Sequence, residues 1–286
     1  MKKCAIVVDS CFNIPNGKYK DLYIIPNIIN EEVDGKIVSY RDGETINNDR
    51  LCEKLNNNAK ISTSTPIIGE FITLIAKLSS EYDEVYCLCI PTTISSTYNN
   101  WKMAAEDYKN VFVFNQTLVG RLSSWTIDDI VQTRDHGKLT KKYVEQLINN
   151  STSNRAGVIV VPDVSYLQKG GRVKGFKAFI ANALHLKLII SLDKDGLQFR
   201  DKSLSIKGAV DKMIIWIDKL IHLKSKQIKR IVIMKSAVSV ERFKIDEYVE
   251  LLKQKIPDVN IEYECLPAVI IAHTGPNYIV LGIEVE

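Results

Sequence analysis

In the first half of the chain, short apolar runs alternate with longer segments in which apolar residues recur every three or four positions. The first pattern is typical of buried strands and the second of amphipathic helices. Strands are predicted over residues 4–8, 84–90 and 111–114, with a further extended segment over 22–29. Helices are predicted over residues 67–79, 97–108, 118–133 and 139–150. Strands that alternate with helices favour a parallel sheet covered by crossover helices.

The pattern changes after a polar stretch at residues 149–154. Strands are then expected over 157–161, 186–191, 197–205, 230–234, 260–264, 268–272 and 278–284, and helices over 174–184, 206–221 and 239–254. Strands now follow strands, and Asp193–Gly196 suits a hairpin turn. We therefore predict an α/β protein of two domains. Residues 1–153 form an N-terminal parallel-sheet, three-layer domain, and residues 154–286 form a C-terminal mixed α+β domain.

Composition narrows the class of protein. A chain of 286 residues exceeds one ordinary core, which fits two domains. The formal charge of +4 is too small to favour nucleic acid, and no basic stripe with interleaved aromatic residues is present. No apolar run is long enough to span a membrane, and the first apolar run ends early at Asp9, unlike a signal peptide. The expected location is the cytoplasm.

The cysteines and acidic residues give little support for a metal or a cofactor. None of the six cysteines forms a C-x-x-C pair, and Cys87 and Cys89 alternate along a predicted strand. Buried hydrophobic positions are the favoured interpretation, ahead of disulfides or metal ligands. Asp9 is a single acid at a strand end, so we expect it to accept hydrogen bonds from loop amides.

Two clusters of hydroxyl residues precede predicted helices. One is Ser62–Pro66, before the helix of 67–79, and the other is Thr92–Thr97, before the helix of 97–108. Helix N-termini at strand ends attract anions, although the same residues are common helix caps. Neither cluster has the lysine of a phosphate-binding loop or a G-x-G-x-x-G sequence, which disfavours a nucleotide. Hydroxyl groups without a fixed counter-charge suit a carboxylate.

Two further segments carry candidate chemistry. Residues 166–172 read Tyr-Leu-Gln-Lys-Gly-Gly-Arg, a basic glycine turn that can approach an anion or be an ordinary solvated loop. His273 precedes a Gly-Pro turn, at the end of the predicted strand of 268–272. Ser95 and His273 also suit the nucleophile and base of a small-molecule hydrolase or transferase. The sequence lacks the G-x-S-x-G motif of many such enzymes.

In this order and spacing, the segments resemble the DegV family of fatty-acid-binding proteins, over nearly the whole chain. The matching motifs are Asp9-Ser10, Tyr40-Arg41-Asp42-Gly43, Thr63-Ser64-Thr65-Pro66, Ile94-Ser95-Ser96-Thr97-Tyr98, residues 166–172 and His273-Thr274-Gly275-Pro276. The chain departs from the family pattern at Ser96, at Asn115-Gln116 and at Asn277. These departures affect loop geometry and leave Thr63 and Ser95 in place.

The resemblance implies a long-chain fatty acid as the ligand and no cofactor or metal. It implies that Thr63 and Ser95 meet the carboxylate, while Arg172 and His273 line the carboxylate end or face a partner. It also implies a carrier that is not itself an enzyme and that presents the acid to a separate ATP-dependent fatty acid kinase. A regulatory module with a structural lipid is a further alternative. Candidate contacts of the acyl tail are Phe176, Phe179, Ile180, Leu184 and Leu186, although an ordinary core position is the favoured interpretation for each of them.

Overall fold

The predicted alternation of strands and helices is present in the computed structural model, which describes residues 2–161, 165–170, 186–193, 195–235, 245–256 and 260–286. The strands are β1 Cys4–Asp9, β2 Leu22–Ile25, β3 Ile28–Val33, β4 Lys36–Arg41, β5 Lys60–Ser64, β6 Glu84–Cys89, β7 Val111–Asn115, β8 Arg155–Val161, β9 Lys187–Asp193, β10 Gly196–Ser203, β11 Ile228–Lys235, β12 Ile261–Glu264 and β13 Ile279–Val285. The α-helices are α1 Asn48–Asn56, α2 Ile68–Glu81, α3 Thr97–Ala104, α4 Arg121–Asp135, α5 Lys141–Asn154, α6 Ser165–Lys169, α7 Ile206–Ile221, α8 Ile245–Lys253 and α9 Ala268–Thr274. Short 3-10 helices cover Ser10–Phe12 and Leu223–Ser225.

The described strands form three sheets. A parallel sheet has the order β2-β1-β6-β7, and a small antiparallel sheet has the order β4-β3-β5. The third sheet has the order β10-β9-β8-β13-β11-β12 and mixes parallel and antiparallel pairs. A parallel sheet and a separate mixed sheet confirm the predicted α/β class.

The parallel sheet is buried on both faces, as its nearly continuous apolar strands require. One face packs against α4 and α5, through residues such as Ile127 and Ile148. The other face packs against α2 and α3, where the rings of Phe71 and Trp101 stack 4.4 Å apart. Cys87 and Cys89 both point to this second face, as their alternation predicted.

Helix α4 lies between the two large sheets. Ile127 and Ile130 pack on the parallel sheet, whereas Leu122 and Trp125 pack on residues of β11 and β13 in the mixed sheet. The opposite face of the mixed sheet is covered by α7 and α8. The two large sheets therefore share α4 as a common layer, and a pocket lined in part by Leu122 lies beside it.

One predicted element is interrupted, and another is wrong. Residues 22–29 form β2 and β3, which are separated at Pro26-Asn27 and belong to different sheets. Residues 268–272 form helix α9 and not a strand. That run is buried on nearly all sides, and a short run of continuous apolar residues has no periodicity to separate a buried helix from a buried strand.

The boundary between domains stays a prediction. Helix α5 ends at Asn154 and β8 begins at Arg155, the first strand of the mixed sheet. Helix α9, although late in the sequence, packs against α1 and β5 of the first half. The chain therefore returns to its N-terminal half just where it carries His273.

Candidate functional site

A largely apolar pocket lies between the carboxyl edge of the parallel sheet, β5 and the mixed sheet. It encloses about 1000 Å³ of space between atoms, its open mouth included. Its apolar wall includes Ile94, Leu118, Ile159, Ile190, Leu197 and Val280. Its few polar side chains include Asn27, Thr63, Ser64, Ser95 and His273. This combination suits a ligand with a long apolar body and one polar end.

Thr63 and His273 are hydrogen-bonded to each other, although 210 positions separate them. The Thr63 Oγ1 atom lies 2.7 Å from His273 Nε2. Thr63 lies in β5 opposite Ile29 of β3, and His273 lies in the last turn of α9. Because α9 packs on β5, the fold brings these two predicted residues together at the pocket wall.

The local setting of Thr63 differs from the prediction. It lies inside a strand of the small antiparallel sheet, and not at the carboxyl end of a parallel strand. Helix α2 begins only at Ile68, its cap residue is Ile67, and no side chain caps it. Pro66 therefore lies two residues before the first residue of the helix. The Thr63 hydroxyl faces the pocket without serving as a helix cap.

Ser95 lies in the loop between β6 and α3, at the carboxyl edge of the parallel sheet, as predicted. Its Oγ atom accepts a hydrogen bond from the amide of Thr97 (3.2 Å) and lies 2.9 Å from the Thr97 hydroxyl. The N-cap of α3 is Ser96, and its side chain makes no capping hydrogen bond. Ser95, one residue earlier, binds the first residue of α3 and also lines the pocket.

Asp9 fixes the loop that leads to Ser95. One carboxylate oxygen accepts from the amide of Ile90 (2.7 Å) and the other from the amide of Cys11 (2.8 Å). Complete burial raises the pKa of Asp9, and these two hydrogen bonds act against that rise. The prediction that Asp9 satisfies loop amides is confirmed.

A second buried carboxylate, Asp42, fixes the helix that carries His273. Asp42 Oδ2 accepts from the Ser10 hydroxyl (2.7 Å) and from the amide of Val269 (3.2 Å), in the first turn of α9. Asn27, which lines the pocket, donates to the same Ser10 oxygen through its backbone and side-chain nitrogens. Burial raises the pKa of Asp42 to about 6. Asp9 and Asp42 thus hold in place the loop that carries Ser95 and the helix that carries His273.

Residues 166–170 contact the His273–Pro276 segment through two glycines. A Cβ atom on Gly170 would lie 2.2 Å from His273 Nδ1, and a Cβ atom on Gly275 would lie 2.4 Å from the ring of Tyr166. Gly275 also has a φ of 83°, which disfavours other residues. Each glycine leaves room for a ring of the other segment, so the two segments position each other.

Several predicted residues lie outside the described part of the chain. They are Gly171, Arg172, the helix of 174–184, and the tail candidates Phe176, Phe179, Ile180 and Leu184. Leu186 is described and packs against a small cluster that contains Val161, Leu167 and Ile190, all three of which line the pocket.

The wall of the pocket also contains residues that the sequence did not single out. Among them are Asn27, Leu122, Gly157, Met234 and Leu266. The apolar pattern around Leu122, Met234 and Leu266 indicates that they are buried. The pattern does not distinguish a core contact from a residue of the pocket wall. Asn27 is isolated between β2 and β3, and its only signal was the interruption of that extended run.

The hydrogen bonds of Ser95 and His273 do not favour their use as the nucleophile and base of a hydrolase. The His273 Nε2 atom that a base would use is hydrogen-bonded to Thr63, while Ser95 Oγ is engaged by Thr97. Among the described residues, no group of three or more potential metal ligands lies together. No helix in the described part of the chain has the length and hydropathy needed to cross a membrane.

Fold and site together define an α/β protein with two large sheets, one small sheet and a largely apolar pocket that has a hydroxyl–imidazole pair on its wall. The family model described as "Uncharacterised protein, DegV family" matches residues 3–286. The chain therefore belongs to the DegV family, as the motifs predicted.

Relatives and solved structures agree with this assignment. A DegV domain-containing protein of Mycoplasma genitalium is 26% identical over 99% of this chain and 100% of its own length. A DegV domain-containing protein of Staphylococcus aureus strain N315 is 25% identical over 98% of each chain.

Among solved structures, a fatty acid binding DegV family protein from Streptococcus agalactiae superposes with a TM-score of 0.84, at 22% identity and full coverage of both chains. A DegV lipid binding protein from Thermotoga maritima gives 0.81 at 25% identity, covering 99% of this chain and 98% of that one. A stearic acid-binding protein from Eubacterium ventriosum gives 0.79 at 22% identity, with 99% and 98% coverage. These matches confirm the fold.

Proposed function

We propose that this protein binds one long-chain fatty acid, with its tail in the pocket and its carboxylate beside Thr63, Ser95 and His273. The observation that carries the proposal is the Thr63–His273 hydrogen bond on the wall of an otherwise apolar pocket. Solved relatives described as fatty acid binding or stearic acid-binding support the ligand class.

The tail supplies most of the affinity in this proposal. Each buried methylene contributes about 0.8 kcal/mol, so a long acyl chain offers roughly 10 kcal/mol before ordering costs. One hydroxyl hydrogen bond to the carboxylate adds about 1–3 kcal/mol. The apolar wall therefore holds the ligand, and the polar groups fix which end points to Thr63.

The Thr63–His273 pair suits a carboxylate for a directional reason. If Nε2 carries its proton, it donates to Thr63 Oγ1, and the threonine hydroxyl is then directed at an acceptor in the pocket. A carboxylate oxygen is such an acceptor, and the Ser95 hydroxyl provides a second donor. Arg172, whose place is implied by the family motif, adds a cation at the carboxylate mouth.

In this proposal the protein is a carrier and not an enzyme. The bound carboxylate is presented to a separate kinase, where its oxygen attacks the terminal phosphorus of ATP and ADP leaves, giving an acyl phosphate. The negative charge that builds up is stabilised by cationic donors such as Arg172 and His273. The residues 1–153 and 154–286 are proposed as the two domains between which the acid is held.

Lipid extraction tests the proposal directly. The purified protein is denatured, and the released lipid is identified by mass spectrometry, with one fatty acid per chain expected. The delipidated protein is then titrated with fatty acid. Neither a stoichiometric acid nor uptake by the delipidated chain would mean that the proposal is wrong.

Variants of the hydroxyl residues test the carboxylate site. Thr63→Val and Ser95→Ala should each weaken binding by about 1–3 kcal/mol without abolishing it. Thr73→Val is a matched control, because Thr73 is exposed on α2 and bonds only to the carbonyl of Gly69 (2.9 Å). A hydrolase would instead lose ester turnover in Ser95→Ala while it keeps its substrate affinity.

A further inference from the structure

Leu122 covers a patch of bare backbone on the mixed sheet. Gly157 of β8 and Gly282 of β13 are directly opposite each other in the antiparallel register. A Cβ atom on Gly157 would lie 2.5 Å from Leu122 Cδ1, and a Cβ atom on Gly282 would lie 2.9 Å from Leu122 Cδ2. The two glycines thus leave a depression in the sheet that the two methyl groups of Leu122 fill, together with Val232, whose Cγ1 lies 2.8 Å from the Cβ position on Gly282.

The lack of space for a side chain, and not the backbone conformation, explains why positions 157 and 282 are glycine. Neither has the positive φ that would demand glycine, in contrast to Gly275. Leu122 itself is well fixed, since it is almost fully buried at the start of α4 and its carbonyl accepts a hydrogen bond from Arg155 Nη1 (3.0 Å). The side chain therefore behaves as a fixed plug over the depression.

Leu122 and Gly157 both line the pocket. On β8, alternate residues from Gly157 to Val161 face the pocket, and the chain then leads to Gly170, which contacts His273. Gly157 is four residues before Val161, about 13 Å at a strand rise of about 3.3 Å per residue. Neither Arg155 nor Ala156 belongs to the lining, so on β8 the pocket ends at Gly157.

We propose that Leu122, seated on Gly157 and Gly282, sets the length of the acyl chain that the pocket accepts. This inference rests on the proposed fatty-acid function and adds a specificity-determining residue to it. A tail that reaches the plug meets the methyl groups of Leu122. Removing those groups opens the depression over the two glycines, and the end of a longer tail can then enter it.

The experiment is a titration of delipidated protein with saturated fatty acids from about 12 to about 20 carbons, in which the profile of affinity against length is compared between variants. In Leu122→Ala the preferred length should increase by about two methylenes. Acids longer than the wild-type optimum should gain about fifteenfold relative to shorter ones, at about fourfold per buried methylene. Leu122→Val, which removes less, should shift the profile in the same direction by a smaller amount.

The glycine partner provides a test in the opposite direction. Gly157→Ala pushes Leu122 into the pocket and should shift the profile toward shorter acids. In Leu122→Ala/Gly157→Ala the new methyl group refills part of the depression, so the profile should return toward that of the wild type. Leu78→Ala is the matched control, because Leu78 is fully buried in α2 but does not line the pocket. It should leave the profile unchanged.

Equal changes for all acid lengths in Leu122→Ala and Leu122→Val, or a shift toward shorter acids, would overturn the role of Leu122 while leaving fatty-acid binding intact. If the wild-type protein binds no acid of any length, the proposed function itself fails, and this inference fails with it.

Discussion

Gly170 lies directly against the imidazole of His273, so close that a Cβ atom there would be 2.2 Å from Nδ1. The same imidazole is hydrogen-bonded through Nε2 to Thr63, at 2.7 Å. The ring is thus fixed between a bare backbone on one side and a hydroxyl on the other. Gly170 controls a polar contact in the pocket although it has no side chain.

Gly170→Ala should therefore weaken fatty-acid binding through His273. The added methyl group displaces the ring and breaks its hydrogen bond to Thr63, which should cost about 1–3 kcal/mol of binding free energy. Isothermal titration of the delipidated protein measures this loss. Gly69→Ala is the control, since a Cβ atom at Gly69 meets nothing within 4 Å.

A double-mutant cycle shows whether Gly170→Ala acts on binding through the Thr63–His273 contact or in some other way. If Gly170→Ala acts only through the Thr63–His273 contact, then its effect and that of Thr63→Val should be far less than additive. Fully additive losses would mean that Gly170 acts on the ligand by another route.

Gly275→Ala should destabilise the fold more than an ordinary glycine replacement. Its φ of 83° already costs a residue with a side chain about 1–3 kcal/mol, and the new Cβ atom would also strike the Tyr166 ring at 2.4 Å. Gly35→Ala is the control for backbone strain, because Gly35 has a φ of 75° but open space around it. Urea unfolding should show a larger loss for Gly275→Ala, and Gly275→Ala/Tyr166→Ala should recover part of the difference. Equal losses for the two glycines would contradict the contact.

The helices and strands were largely predictable because local pattern decides them. Helix α7 begins and ends at the predicted residues, since Ser205 caps it and its apolar stripe is regular. The hairpin of β9 and β10 follows from its turn sequence. Helix α9 escaped prediction because burial on nearly all sides removes the polar face that would reveal its period.

The site was only partly predictable. Thr63, Ser95 and His273 were found through polar clusters and motif resemblance, and the structure brings them to one pocket. That Thr63 bonds to His273 depends on α9 returning to β5 over 210 positions, which no local pattern encodes. Leu122 was missed for a different reason: its partners are two glycines whose importance is the space they leave.

The stability difference between the wild type and Asp42→Asn should depend on pH. Burial raises the pKa of Asp42 from 3.8 to about 6, so between these values the folded chain keeps a proton that the unfolded chain has lost. The stabilisation from this group is fully present below about pH 4 and is lost as the pH rises through about 6. The asparagine variant lacks this titration. The wild-type advantage in free energy of unfolding should thus fall by about 3 kcal/mol between about pH 4 and pH 7.

Chemical denaturation across that pH range measures the difference. Ser10→Ala provides a second check, because the Ser10 hydroxyl donates to Asp42 and holds its pKa down. Without this donor the decline should move to higher pH. An advantage of the wild type that grows with pH would refute the assignment of the raised pKa to Asp42.

Arg172 and His273 should matter more for transfer of the fatty acid to a kinase than for its retention. In Arg172→Ala and His273→Ala the apolar wall remains, so most of the binding free energy should be kept, at about 0.8 kcal/mol per buried methylene. Phosphorylation of the bound acid builds up negative charge at the carboxylate, and the loss of a cationic donor should slow it strongly. A reconstituted phosphorylation assay, run beside a direct binding titration, separates the two effects. Lys142→Ala removes an exposed positive charge from α5 and serves as the control for net charge. Phosphorylation at the wild-type rate in both variants, with the fatty acid bound normally, would exclude Arg172 and His273 from the transfer step.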